Sequence, residues 1–138
     1  RAGGAPGSRG LDPSDPPPGR VAASTMYWAY DRGDGGYSLL KSDGTEKTAL
    51  TDVVVRPYPM RVAGDPIQYA FDAATRTFST SWTSDPAIKA PTEISVPPRV
   101  YPGGYTVSCE GCATEKTEGT LRVTRAPVGK VTLTISPG

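Results

Sequence analysis

Hydrophobic residues along this chain change their spacing twice. Over residues 21–30, "VAASTMYWAY", they run almost without interruption, which fits a strand buried on both faces, as in a parallel sheet. Turn residues in "DRGDGG" (residues 31–36) break the run. In "SDGTEKTALTDVVVR" the period is helical: Ala49, Leu50, Val53 and Val54 share one face, and Asp43 and Glu46 have the spacing of a capping box. Pro57 disfavours helical geometry at Arg56, so that helix is expected to end there. The first third thus predicts strand, loop and helix, a single β/α unit with no sheet to complete.

After Pro59 the period becomes two. Ile67, Tyr69 and Phe71 alternate with Gln68 and Asp72, "DAATR" turns the chain, and Phe78, Thr80 and Trp82 line one face of the return strand. Further strands are predicted over residues 93–96, 105–109, 120–124 and 130–135, with Val131, Leu133 and Ile135 on the face opposite to Thr132 and Thr134. Pro97-Pro98, Pro102-Gly103-Gly104, Glu110-Gly111 and Pro127-Val128-Gly129 supply the turns between them. About six short strands with one apolar face each predict a mainly β fold, an antiparallel, immunoglobulin-like β-sandwich. Pro57 and Pro59 then mark a stiff joint between the helix and this all-β domain.

Residues 1–20 are half glycine and proline, with Leu11 the only large apolar side chain. Such a segment buries too little surface to offset its ordering entropy and is expected to be a disordered tail or linker. "DPPP" is short and lacks the register of a proline-rich recognition peptide. The expected organisation is a tail (residues 1–20), a β/α unit (21–56) and a β-sandwich (57–138).

Composition narrows the chemistry. The 138 residues suit one ordinary domain. Fifteen basic residues face fourteen acidic ones, so no global field draws in nucleic acid or anionic lipid. Arg56, Arg61, Lys89 and Arg99 are too scattered to form such a patch. No run is apolar enough to span a bilayer. The first residue is Arg1 and no signal-peptide pattern follows, so the chain is expected to be processed or the tail of a longer one. Histidine is absent, which removes the commonest general base and metal ligand and every Ser-His or Cys-His nucleophile. Catalysis by this chain alone would have to rest on carboxylates, tyrosine or lysine.

"CEGC" (Cys109 and Cys112) holds the only two cysteines. Zinc wants four ligands, and a redox pair wants a helix start, whereas this pair follows a strand. A disulfide across the turn is the better reading, ahead of free thiols and then metal, and it fits an oxidising compartment. Glu93 and Asp72 lie within strand patterns, where carboxylates are more often solvated or hydrogen-bonded than part of a site. The alternation of Tyr69, Phe71, Phe78 and Trp82 places them in a core before it makes them a glycan platform. Tyr58 and Tyr101, each beside prolines, are expected to pack at the joint or a strand end.

Several stretches are similar to one family. "VVVRPYPMRVAGDPIQYAFDAATRTF", "PTEISVP" and "YPGGYTVSCEG" resemble, in order, the C-terminal β-sandwich of endoglycoceramidase-like members of glycoside hydrolase family 5. Upstream, "TMYWAYD" looks like the eighth strand and "EKTALTDVVVR" the last helix of the family's (β/α)8 barrel. The resemblance explains the orphan β/α unit as the remnant of a barrel's final repeat.

It implies a secreted enzyme fragment that docks on its barrel. The parent reaction would be hydrolysis of the β-glycosidic bond between oligosaccharide and ceramide by double displacement. The family's two catalytic glutamates belong to barrel strands four and seven, before this sequence begins. Asp31, Asp34, Asp43, Glu46 and Asp52 match neither motif, so no catalytic residue, cofactor or metal is expected here. Trp28 falls at the position of an aromatic lining the family's sugar subsite, with Tyr30 a weaker match; the alternative for Trp28 is a large buried residue. The glycolipid or oligosaccharide substrate would bind through the missing barrel. A rival reading is a stand-alone carbohydrate- or lipid-binding sandwich, favoured if the aromatic rings face outward. A third is a purely structural module.

Overall fold

A computed structural model describes residue 27 and residues 29–138, apart from the side chain of Pro66. One helix, α1 (Thr48–Val54), precedes the strands β1 (Tyr58–Arg61), β2 (Gly64–Asp72), β3 (Thr77–Ser84), β4 (Thr92–Ser95), β5 (Tyr105–Ser108), β6 (Ala113–Thr117), β7 (Thr120–Arg125) and β8 (Gly129–Pro137). They build two four-stranded sheets, ordered β1-β4-β7-β6 and β2-β3-β8-β5. All the pairings are antiparallel.

Register explains why the layers stack. In β3 the buried residues Phe78, Thr80 and Trp82 stand opposite Ile135, Leu133 and Val131 of β8. These side chains meet Ile94 of β4 and Leu121 and Val123 of β7 between the sheets. Each such apolar side chain contributes about 1.5–3 kcal/mol on burial, so this seam is the main source of stability. Thr80, the polar residue on the inner face of β3, donates its hydroxyl to the Gln68 carbonyl at 3.0 Å. The mainly β, antiparallel sandwich expected from the period-two patterning is present.

Two strands depart from the expected pattern. β1 runs through Pro59, in the stretch expected to be only a stiff joint. It lies at the edge of its sheet, where a residue without an N–H interrupts no interior ladder. Pro57, just before it, is fully buried. β6, "ATEKT", is also an edge strand, and its polar composition gives no alternation to reveal it.

The first third differs more. The helix spans only seven residues, with Lys47 at its N-cap and no side-chain cap. The expected capping box does not form. Asp43 instead accepts hydrogen bonds from the Thr45 amide at 2.8 Å and hydroxyl at 2.6 Å, which hold its pKa below the usual value. Glu46 turns towards Arg99. The buried residue of α1 is Thr51, whereas Val53 and Val54 are 56% and 39% exposed. The apolar stripe therefore faces out. Tyr27, Ala29 and Tyr30 carry no strand, and of the expected β/α unit the described residues form only the helix. The rest of the predicted strand and the tail over residues 1–20 lie outside the described residues.

Candidate functional site

The loop between Tyr27 and α1 is held by its own polar groups. The Lys47 ammonium donates to the Gly35 carbonyl at 2.5 Å and to the Ser38 hydroxyl at 2.6 Å. Asp34 accepts from the hydroxyl and amide of Ser42, which lowers its pKa. Tyr27 donates its phenol to the Tyr37 carbonyl at 2.9 Å. Tyr30 is 74% exposed. Trp28, the other expected sugar-contacting residue, lies outside the described residues.

The carboxylates of this segment serve local structure. Asp31 accepts from the Arg32 amide at 2.6 Å. Asp34 and Asp43 close turns, and Glu46 and Asp52 both bind Arg99. Among the described residues no group of three or more histidine, cysteine or acidic side chains is placed to hold a metal ion.

Arg99 is the centre of the seam between α1 and the sandwich. Its Nε lies 3.0 Å from Asp52 Oδ1, its Nη2 donates to Thr51 Oγ1 at 3.0 Å, and its Nη1 meets Glu46. Hydrogen bonds to Glu46 and then Asp52 raise the guanidinium pKa. Sequence spacing alone makes Arg99 one of several scattered cations. Its partners lie 47 to 53 residues upstream, beyond the reach of any local spacing rule.

A second ionic cluster crosses the outer face of the β1-β4-β7-β6 sheet. Glu93 is only 7% exposed because two arginines cover it. Arg61 Nε approaches one carboxylate oxygen at 2.9 Å and Arg122 Nε the other at 3.0 Å. Asp72 accepts from the Ala74 amide and the Thr75 hydroxyl, both at 2.9 Å, and so shapes the β2–β3 turn. The Thr75 hydroxyl is the larger cause of its lowered pKa.

Phe78 and Trp82 face inward, and Tyr69 and Phe71 pack against the same core. The sheets thus present no aromatic platform from these rings. Tyr101 is buried in the sandwich core, whereas Tyr58 is 48% exposed and does not pack as expected. Cys109 and Cys112 are joined in a disulfide, their Cα atoms 5.6 Å apart.

The family model for the glycoside hydrolase family 5 C-terminal domain matches residues 56–135, the sandwich together with the residue that enters the Pro57 seam. The chain belongs to this family. Over 113 residues it is 31% identical to endoglycoceramidase I of Rhodococcus hoagii (strain 103S), a match covering 82% of this chain and 20% of that protein. Among solved structures it is similar to endo-glycoceramidase II from Rhodococcus sp. in its ganglioside GM3 complex. That match has a TM-score of 0.65 and 34% identity, and covers 81% of this chain and 24% of the other. Sterylglucosidase 1 of Cryptococcus neoformans shares the fold, with a TM-score of 0.59 at 22% identity over 69% of this chain and 14% of its own. This family 5 C-terminal domain therefore spans a quarter or less of each of these relatives. Its match to endoglycoceramidases agrees with the resemblance in "VRPYP", "PTEISVP" and "YPGGY". Among the described residues no helix is long and apolar enough to cross a membrane.

Proposed function

We propose that this chain is the C-terminal region of a secreted endoglycoceramidase-like hydrolase and has no hydrolase activity by itself. The parent enzyme would cleave the β-glycosidic bond between oligosaccharide and ceramide through a covalent glycosyl-enzyme. Such retaining chemistry needs two carboxyl groups about 5–5.5 Å apart across the scissile bond. In this reading both glutamates come from the barrel that precedes the sandwich.

The observation that carries the proposal is the outward stripe of α1 beside a sandwich of this family. Val53 and Val54 turn away from the only packed core among the described residues. In a parent enzyme that stripe would pack on the preceding barrel and dock the sandwich against it. Trp28 and Tyr30 would then stand near the sugar, where an aromatic face suits the apolar C–H face of a pyranose. The disulfide is consistent with an oxidising, extracellular setting. The inward rings of Phe78 and Trp82 count against a stand-alone glycan-binding module.

The deciding experiment weighs the native polypeptide with an antibody against the sandwich and assays the purified chain on ganglioside GM3. A native band several times heavier than the 14.5 kDa of this chain, with no turnover by the chain, is expected. A native band at that mass, or ganglioside hydrolysis by the chain alone, overturns the proposal.

A further inference from the structure

We propose that Arg99 is a latch that sets how the sandwich holds the segment leading into it. One guanidinium engages three side chains at once. Nε donates to Asp52, Nη2 to Thr51, each at 3.0 Å, and Nη1 to Glu46. Thr51, the buried residue of α1, relays the contact, since its own hydroxyl is directed at the Lys47 and Thr48 carbonyls, both at 3.2 Å. A planar fork with several fixed donors suits this arrangement, whereas a lysine ammonium is a single point charge.

Arg99 also stands on a rigid base. Val100 donates its amide to the Pro97 carbonyl at 2.9 Å and Tyr101 to the Pro98 carbonyl at 3.2 Å, so two overlapping turns fix its backbone. Val100 and Tyr101 then pack into or against the core. The latch is therefore part of the sandwich body.

What it grips is a short helix whose start is tied to the preceding loop through Lys47. α1 is seven residues long and has no side-chain cap, too short to persist alone. The residues it turns to Arg99 are Thr51 and Asp52 rather than valines, with Glu46 just ahead of the helix joining them. Polar contacts with Arg99, not apolar burial, decide the rotation of α1 about its axis. That rotation leaves Val53 and Val54 exposed. The latch is intrinsic to this chain and goes beyond the enzymatic reading, so the two can fail separately.

Hydrogen exchange on the purified 138-residue chain tests it. The reporters are the amides of Leu50 and Thr51, bonded to the Lys47 carbonyl at 2.9 and 3.1 Å, and of Val55, bonded to the Thr51 carbonyl at 2.8 Å. Arg99→Met keeps the apolar stem and removes the fork. It should speed exchange at these amides about three-fold, since the carboxylates of Glu46 and Asp52 are half exposed and solvent screens them, and leave β3 and β8 unchanged. Arg99→Lys should recover less than half of that loss. Thr51→Val reaches the same contact from the other side and should reproduce the local effect; it decides the matter alone if Arg99→Met does not fold. Unchanged exchange at the three amides overturns the latch. So does an unaltered chain in which they already exchange at the unfolded rate, or a loss of protection that spreads equally through β3 and β8.

Discussion

Lys116 sets its ammonium 4.4 Å from the centre of the Tyr105 ring and donates to the Tyr105 carbonyl at 2.5 Å. Lys116 belongs to β6 and Tyr105 to β5, edge strands of opposite sheets, so the contact spans the open side of the sandwich. In register Lys116 pairs with Leu121, which is fully buried, so the lysine sits on the inward-facing side of its edge strand. An inward charge on an edge strand opposes pairing with another sheet, because pairing would bury the ammonium.

Lys116→Val should therefore leave the chain folded but promote self-association. Light scattering on a concentration series, compared with the unaltered chain, reads this directly. A strictly monomeric variant at every concentration would mean that Lys116 serves only Tyr105.

Gly64 supports a second prediction. It opens β2 at φ +152°, next to the irregular register between Gly64 and Ile67. A Cβ there would lie 1.9 Å from the Thr83 carbonyl oxygen and 2.9 Å from Trp82 Cδ1. Backbone and core both block relief, so Gly64→Ala should lose about 3 kcal/mol or more in urea unfolding. Gly103 is the control, since a Cβ there would meet no atom within 4 Å. Gly103→Ala should stay within about 0.5 kcal/mol of the parent. Equal losses at the two positions would refute the crowding account.

The sequence pattern reaches the strands that alternate apolar and polar residues and misses the two that do not. β3 and β8 are buried on one face, so Phe78, Trp82, Val131, Leu133 and Ile135 alternate visibly with hydroxyl residues. β1 and β6 are mostly exposed edges without apolar alternation. The other two edges, β2 and β5, keep Tyr69, Phe71, Tyr105 and Val107 against the core and show it in their sequence. Helical periodicity groups Ala49, Leu50, Val53 and Val54, but periodicity does not say which partner a stripe meets. The two ionic clusters are least legible, because Arg99 and Glu93 are defined by partners distant in sequence. Among the expected sugar contacts, Tyr30 is seen as an exposed ring on a braced loop, and no periodic signal bears on it.

Glu93 makes a third case. Its side chain is 10% exposed, and Arg61 and Arg122 bind one oxygen each. Removing the shared anion loses two charge-assisted contacts, so Glu93→Ala should destabilise the chain by about 1–2 kcal/mol. Each arginine is much more exposed than the glutamate, so Arg61→Ala or Arg122→Ala should cost less than about 1 kcal/mol. Denaturant midpoints of the three variants check the ordering. A glutamate variant no weaker than the arginine ones would remove Glu93 from the centre of the cluster.

Tyr101 gives a pH signature. Its ring is buried 5.6 Å from that of Tyr105, and neither buried phenol oxygen has a hydrogen-bond partner among the described residues. Burial, and then the neighbouring Tyr105, push the Tyr101 phenol up from 10.0 to about 12. The unfolded chain releases this proton first as pH rises, while the folded chain still binds it. Stability from this group is therefore complete below pH 10.0 and is lost as pH climbs towards 12. Burial raises Tyr105 as well, so it adds to the same alkaline loss. Tyr101→Phe removes an unpaired buried hydroxyl and should match or exceed parental stability near neutral pH, by up to about 1 kcal/mol. It should also flatten the alkaline decline, and adding Tyr105→Phe should flatten it further. Thermal melts across the alkaline range measure both effects. If Tyr101→Phe loses stability at neutral pH, the phenol has a hydrogen-bond partner in solution; if its alkaline slope equals the parent's, Tyr101 does not titrate with unfolding.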